Sequence, residues 1–320
     1  MWQERQIELL KMELEDILSP LSDISGFAEI VKEPLAAAKR GLSNESIQDK
    51  PWSLLPSIVC EAISGDGERA VPITAVLQLL MASADVFDDI EDADSPLSLS
   101  SRYGRAIANN AATALIVLAE TTITRLAKRG VADSLIVRIM NTVNAYNISM
   151  CMGQHLDLTL SLESGISEDM YLKMIAMKSA SQTECACRVG ALLATGNQEL
   201  IDMFTSFGHN LGMAAQITND IRGTIHGSDI EKKKPTLPLV YALTQTKLDT
   251  TTPSQNSAIR LSDSVYEPTQ IKEMLFRTGA IHYALVKMQF YKQLALKDLL
   301  KAKNNGIKIE HLTSLIERLQ

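Results

Sequence analysis

The stretch VFDDIEDAD, residues 86 to 94, decides how the rest of the sequence is interpreted. Together with Asp85 it places six carboxylates within ten residues. The residues just before it, VPITAVLQLLMASA, are almost all apolar or small, which is typical of a buried helix. Acidic residues on a solvated helix face need no buried helix before them. The combination therefore indicates a chemical role for the acids.

Two of these carboxylates, Asp88 and Asp92, are four residues apart, so on a helix they share one face, about 6 Å from each other. Asp89 is their neighbour, and three carboxylates this close repel one another unless a cation neutralises them. Mg²⁺ binds few protein carboxylates directly and keeps positions for water and phosphate oxygens. The pattern predicts a clamp for magnesium and diphosphate. A solvated helix end is the alternative for an isolated acidic run.

A second element with matching chemistry lies more than a hundred residues downstream, in AQITNDIRG, residues 215 to 223. Gln216, Asn219 and Asp220 offer oxygen ligands there after another apolar helical stretch. The lysine run 232–234 follows shortly, and Lys178 is a lone cation in a small, apolar segment. Lysine suits phosphate as a compact charge. The alternatives are a solvated lysine run and a lysine whose stem packs while its amine reaches water.

Apolar residues three and four apart recur along the chain, while strand patterns are scarce. No shift in composition divides the 320 residues, so we expect an all-α, single-domain helical bundle of ten or more helices over residues 1–320. The net charge of −7 argues against nucleic-acid binding. The charged N-terminus is unlike a signal peptide, and no apolar run reaches the length of a membrane span. We therefore expect a cytoplasmic protein without a transmembrane segment.

The acidic elements and lysines, taken in order, resemble the trans-type polyprenyl synthases, which have the class I isoprenoid diphosphate synthase fold. The resemblance spans roughly residues 60–245. It covers the family's first aspartate-rich motif, a degenerate second motif, a Lys-Thr pair and a GKxTLPL segment. The matching residues are, in the same order, Asp88-Asp89-x-x-Asp92, Gln216-x-x-Asn219-Asp220, Lys178-Ser179 and Lys234-Pro-Thr-Leu-Pro-Leu.

The resemblance implies an enzyme of the isoprenoid (terpenoid) synthase type that uses Mg²⁺ to ionise an allylic prenyl diphosphate and releases pyrophosphate. It also implies a homodimer, and a prenyl pocket that small side chains before the first motif leave deep enough for a long donor. The implied metal ligands are Asp88, Asp89, Asp92 and Asp220. The implied catalytic set adds Lys178 and Asn219, and the implied substrate contacts are Arg69, Arg102, Ser83, Ala84, Phe87, Gln216 and Lys234.

The sequence departs from the family pattern in several places, among them the Arg-Arg pair that the family has after the first motif and that is missing here. The family binds its acceptor, isopentenyl diphosphate, through basic residues in a GGKxxRP segment, where this sequence has Glu68 and Val71. Arg69 and Arg102 are the cations that remain near this segment and after the first motif. An acid facing a second diphosphate repels it. The second motif also has Asn219 and Gly223 where the family has Asp.

These departures leave several functions open. The first is prenyl transfer to an acceptor other than isopentenyl diphosphate, as in the family's enzymes that prenylate a competence pheromone peptide on tryptophan. The second is a terpene synthase that cyclises its donor, although only 5% of the residues are aromatic and such pockets steer cations with aromatic faces. A non-catalytic subunit of a heteromeric synthase is disfavoured by the intact first motif. A conventional prenyl diphosphate synthase with a weakened acceptor site is the remaining alternative.

Overall fold

The structure is a computed structural model that describes residues 2–37, 40–43, 51–93, 95–160, 162, 165–231, 234–249 and 268–319. Within these ranges the chain forms fifteen α-helices and no strand, which confirms the predicted all-α fold. The helices are α1 (Trp2–Leu18), α2 (Ser25–Ala36), α3 (Leu55–Ser64), α4 (Val71–Asp92), α5 (Leu99–Tyr103), α6 (Arg105–Ile123), α7 (Asp133–Thr159), α8 (Glu168–Ile175), α9 (Ser181–Ala194), α10 (Gln198–His226), α11 (Ser228–Glu231), α12 (Leu237–Asp249), α13 (Pro268–Thr278), α14 (Ala280–Asn304) and α15 (Glu310–Glu317). The segment TTPSQNSA, which the sequence predicts to be a loop, lies outside the described residues.

The chain groups into two compact units, and each is built from separated segments. The first contains Met1–Asn144, Ala186–Phe204 and Ala302–Leu315. The second contains Ala145–Cys185, Thr205–Lys301 and Ile316–Gln320. The expectation of one domain over residues 1–320 stays a prediction.

Helix α4 carries the apolar stretch of the first unit. A 3₁₀ turn, Glu68–Ala70, precedes it, and Pro72 lies in its first turn, where a missing N–H costs nothing. Its side chains are buried almost without interruption as far as Ser83, and α1 and α6 pack against it. Ala93, the residue that follows the helix, adopts a left-handed conformation with φ +53° and ends it.

Within the first unit, residues from far along the chain join the N-terminal helix. Helix α1 buries side chains at helical spacing, among them Ile7, Leu10 and Leu14. The ring of Trp2 stacks on that of His311 in α15, with ring centroids 5.4 Å apart. The first unit therefore needs the segment 302–315 to complete its packing.

In the second unit, the contacts of Tyr283 link three helices. The hydroxyl of Tyr283 in α14 donates to both oxygens of Glu168 in α8, at 2.7 Å each, and Lys287 Nζ lies 2.8 Å from the same carboxylate. The ring of Tyr283 stacks on that of Tyr241 in α12, with centroids 3.9 Å apart. These contacts fix the position of α12, whose first residues follow the predicted lysine segment.

Among the described residues, two helical stretches are long and apolar enough to span a membrane, Glu68–Asp92 and Arg105–Arg129. In the first, 78% of the apolar window is buried inside the protein, whereas 39% is buried in the second. A core helix can be equally long and apolar, so this finding does not identify a membrane segment. The predicted absence of such a segment stays a prediction.

Candidate active site

The first acidic motif occupies the last turn of α4. Asp88, Asp89 and Asp92 are half-buried there, next to the half-buried ring of Phe87. The C-terminal end of a helix carries partial negative charge, so carboxylates are unfavourable at this end unless a cation compensates. Carboxylate oxygens are also the ligands that Mg²⁺ prefers. The motif therefore fits a divalent cation by the chemistry of its donors and by its position on the helix.

A cation that the motif spacing does not predict lies beside this motif. The guanidinium of Arg40 forms an ion pair with Asp85, three residues before Asp88, and Arg40 is only 14% exposed. The neighbouring N–H of Gly41 donates to Gln78 Oε1 on α4 at 3.1 Å and holds this segment against the helix. Nothing in the spacing of Arg40, forty-five residues upstream of its partner, indicates the contact.

The second motif is built around Asp220, which is buried in α10. The hydroxyl of Tyr171 in α8 donates to its Oδ2, Gln216 Nε2 donates to Oδ1 at 2.8 Å, and the N–H of Leu237 donates to Oδ2 at 3.1 Å. Burial and, to a smaller extent, the charge of Asp229 raise the pKa of Asp220, while these hydrogen bonds lower it. The net result is a pKa of about 6. In this structure Asp220 joins α8, α10 and the first residue of α12.

The other positions of the second motif share a different face of α10. Asn219 is exposed, and Gly223 follows it by four residues, one helical turn later. The structure thus brings Gln216 and Asp220 into direct contact and separates Asn219 from them by its direction on the helix. Of the predicted ligands in this motif, Asn219 is the side chain that faces away from the protein interior.

Lys178 lies in an irregular turn between α8 and α9. Residues Ala176–Ala180 form a π-helical turn, a geometry that is frequent at functional sites. The amine of Lys178 forms an ion pair with Asp157 of α7, and both side chains are largely buried. α7 approaches this turn at Gly153, where an added Cβ would lie 2.7 Å from the Cα of Lys178. Gly153 is therefore required for the close approach, and neither it nor Asp157 was predicted.

Lys234 lies between α11 and α12 and is half-buried. Its N–H donates to the carbonyl of Asp229 at 3.0 Å, and its carbonyl accepts from Thr236 N at 2.9 Å. The hydroxyls of Thr236 and Thr224 on α10 lie 3.0 Å apart. These bonds fix the backbone of Lys234 against the end of α10, while Lys232 and Lys233 lie outside the described residues.

The two predicted acceptor cations have different surroundings. The guanidinium of Arg102 forms an ion pair with Glu33 of α2, and its Nε donates to the carbonyl of Leu97 at 3.1 Å. Glu68 lies 3.5 Å from Arg5. Arg69 Nε is buried and has no hydrogen-bond partner among the described residues. The substrate roles of Arg69 and Arg102 stay predictions.

The two small residues before the first motif differ in their contacts. Ser83 is buried, and its hydroxyl donates to the carbonyl of Ala112 on α6 at 2.9 Å. Ala84 is half-buried. Ser83 thus has a packing role between α4 and α6, and the predicted pocket role of both residues stays a prediction.

The predicted site residues fall in both compact units. The first motif, Arg69 and Arg102 belong to the first unit, whereas Lys178, the second motif and Lys234 belong to the second. Within the described part of the chain, no three His, Cys, Asp or Glu side chains already form a group that could hold a metal ion. The magnesium prediction therefore depends on the donor chemistry of the individual motifs.

Solved structures have the same fold as this chain. Geranylgeranyl pyrophosphate synthetase from Pyrococcus horikoshii Ot3 superposes with a TM-score of 0.80 at 23% identity, over 99% of this chain and 97% of that one. Geranylgeranyl pyrophosphate synthase from Corynebacterium glutamicum, solved with isoprenyl diphosphate and magnesium, gives a TM-score of 0.76 at 21% identity, over 99% and 97% of the two chains. The fold class is therefore that of the isoprenyl diphosphate synthases.

The family model described as polyprenyl synthetase matches residues 53–268, and the chain belongs to this family. Geranylgeranyl diphosphate synthase of Mycobacterium tuberculosis is 31% identical over 57% of this chain and 55% of its own length. Tryptophan prenyltransferase ComQ of Bacillus subtilis subsp. natto is 34% identical over 51% of this chain and 48% of its own length. The match thus spans about half the length of these two relatives. ComQ of Bacillus spizizenii is 27% identical over 72% of this chain and 81% of its own length.

Proposed function

We propose that this protein transfers a prenyl group from an allylic prenyl diphosphate to an acceptor, with Mg²⁺ held by Asp88, Asp89 and Asp92. The observation that carries the proposal is the position of these carboxylates, at the negative end of a buried apolar helix. A bound Mg²⁺ would neutralise the departing diphosphate and so assist its release. Membership of the polyprenyl synthetase family supports the same reaction class.

The chain's own cations and hydrogen bonds have separate tasks in this proposal. Lys178 and Lys234 bind diphosphate oxygens as compact charges. The π-helical turn fixes the backbone at Lys178, and the hydrogen bonds to Asp229 and Thr236 fix that of Lys234. Asp220 positions the start of α12 by accepting from Leu237.

The acceptor in this proposal is not isopentenyl diphosphate. Glu68 adds a negative charge where a second diphosphate would need a cation, and Arg102 is engaged by Glu33. The similarity to tryptophan prenyltransferases supports this choice. The similarity to geranylgeranyl diphosphate synthase favours a second candidate, conventional chain elongation. No terpene cyclase is among the relatives and structures named above, so cyclisation has no support from them.

The test is release of pyrophosphate from geranyl, farnesyl and geranylgeranyl diphosphate with Mg²⁺, with and without isopentenyl diphosphate. Where no acceptor is added, water takes the prenyl group and the product is the prenyl alcohol. Asp88→Ala and Asp92→Ala should each lower turnover about 100-fold or more, because each removes a ligand that stabilises the leaving group. Glu91→Gln, an exposed neighbour on the same turn, is the matched control and should retain activity.

Full turnover in either aspartate variant, or in EDTA, would show that the motif is a solvated helix end. Mass spectrometry of the products separates the two candidates. Efficient elongation of the donor by isopentenyl diphosphate would contradict the proposed acceptor and support conventional chain elongation.

A cytoplasmic location and a homodimer are further parts of this proposal. Exposed apolar side chains on α6 support the dimer: the neighbours Ile116 and Val117 are 37% and 58% exposed, and Ile107, on another side of the helix, is 43% exposed. A second copy of the chain would cover them.

A further inference from the structure

Position 223 of α10 is filled by a side chain that comes from elsewhere. Gly223 follows Asn219 by one helical turn and shares its face. A Cβ built on Gly223 would lie 2.5 Å from Cγ and 2.8 Å from Oδ1 of Asp229, closer than real Cβ contacts allow. The carboxylate of Asp229 therefore occupies the space that a side chain at 223 would need.

The backbone turn after α10 brings Asp229 to this place. Gly227 ends the helix with φ +92°, a conformation that favours glycine, and its N–H donates to the carbonyl of Gly223 at 3.0 Å. The hydroxyl of Ser228 donates to the same carbonyl at 3.3 Å. The short helix α11 then folds back along the last turn of α10. The N–H of Lys234 donates to Asp229 O and fixes the other end of the turn.

The face shared by positions 219 and 223 has no carboxylate of its own on α10. Asn219 is neutral, and both oxygens of Asp220 accept hydrogen bonds in the protein interior. Mg²⁺ with bound phosphate oxygens is held in proteins by carboxylates together with water. Asp229 is half-buried at this face and supplies the carboxylate that α10 lacks there.

We propose that Asp229 is the metal-binding carboxylate of the second motif, delivered from α11 into the place left by Gly223. This inference rests on the proposed function and adds a residue to it. It also explains why glycine occupies position 223, because any larger side chain there would displace the carboxylate of Asp229. Asp220 keeps a positioning role in the interior.

The first test measures the melting temperature while Mg²⁺ is titrated in the presence of inorganic pyrophosphate. A ligand that binds the native state raises the melting temperature further as its concentration exceeds its Kd. The Mg²⁺ concentration that gives half of the rise reached at the highest concentration, the midpoint, therefore compares Mg²⁺ affinity between variants without turnover. Asp229→Asn keeps the shape of the side chain and should raise the midpoint about 10-fold or more. Glu231→Gln, an exposed acid on the same short helix, should leave the midpoint unchanged.

The second test moves the carboxylate from 229 to 223. Gly223→Asp alone should weaken Mg²⁺ binding, because its Cβ collides with Asp229. Asp229→Ala alone should weaken it by loss of the ligand. The double variant Gly223→Asp/Asp229→Ala should bind Mg²⁺ more tightly than either single variant. Circular dichroism establishes that each variant is folded before the titration.

The outcomes separate this inference from the proposed function. Equal midpoints for Asp229→Asn, Glu231→Gln and the wild type would overturn the inference, as would a folded double variant that binds no better than Asp229→Ala. If Asp88→Ala abolishes the response while Asp229→Asn keeps it, the proposed function stands and only the inference fails. A wild-type protein that does not respond to Mg²⁺ and pyrophosphate would overturn both.

Discussion

At the scale of single residues, Asp220 accepts hydrogen bonds from a tyrosine hydroxyl, a glutamine amide and a backbone N–H. Asp220→Asn replaces one accepting oxygen by an NH₂ group that faces these donors. We expect the free energy of unfolding to fall by about 1–3 kcal/mol, the usual penalty for buried polar groups left without a partner. Urea unfolding followed by circular dichroism measures it.

The matched control for this prediction is Asn219→Ala, one residue earlier on the exposed face. Its effect should stay within about 0.5 kcal/mol, as for other surface substitutions. A similar, small effect of both changes would mean that Asp220 does not hold α8, α10 and α12 together.

At the scale of helices, the close approach of α7 to the π-helical turn depends on one glycine. Gly153→Ala places a Cβ 2.7 Å from the Cα of Lys178, and backbone atoms cannot yield as a flexible side chain can. We expect the free energy of unfolding to fall by about 1–3 kcal/mol, as in other overpacked interiors. Urea unfolding measures it, and pyrophosphate binding should weaken because the turn that carries Lys178 is displaced.

Gly26→Ala is the control, since nothing lies within 4 Å of a Cβ at this position in α2. It should leave the stability equal or raise it by about 0.4–1 kcal/mol, because alanine restricts the unfolded chain. If Gly153→Ala were as harmless as Gly26→Ala, the approach of α7 would not constrain Lys178.

These elements also show what sequence can and cannot predict. The shared face of Asp88 and Asp92 follows from spacing within one helix, which is fixed by local geometry. The same holds for the alternation of apolar helices and short breaks, so the all-α fold was predictable. The contact of Arg40 with Asp85 was not, because it depends on how distant segments pack.

The second motif also shows that sequence spacing does not predict contacts between distant segments. Spacing placed Asn219 and Asp220 together as ligands, yet adjacent residues on a helix point in different directions, and one of them faces the interior. The position of Asp229 depends on the left-handed turn at Gly227, which sequence spacing does not reveal. The hydroxyl of Tyr171 contacts Asp220, which is forty-nine residues away in the sequence. The residues around Tyr171 do not indicate this contact.

At the scale of the whole molecule, the exposed side chain of Val117 on α6 provides a test of the proposed homodimer. Val117→Asp places a charge at this position, and a dimer that buried it would lose affinity at least tenfold, or about 1.4 kcal/mol. Light scattering after size-exclusion chromatography should show the wild type as a dimer and the variant shifted towards monomer. Leu97→Asp, at a position that is 79% exposed outside α6, is the control. An unshifted Val117→Asp variant would place any dimer interface elsewhere.

The stacking of Trp2 on His311 has a consequence for how the protein is made. The chain passes between its two compact units five times, at 144/145, 185/186, 204/205, 301/302 and 315/316. During synthesis the early helices leave the ribosome long before the segment 302–315 that completes their packing. Closing so long a loop is slow, because its entropy is lost before the contacts form. The packing around Trp2 therefore stays incomplete until late in translation, and a chaperone that shields this region would raise the yield of folded protein.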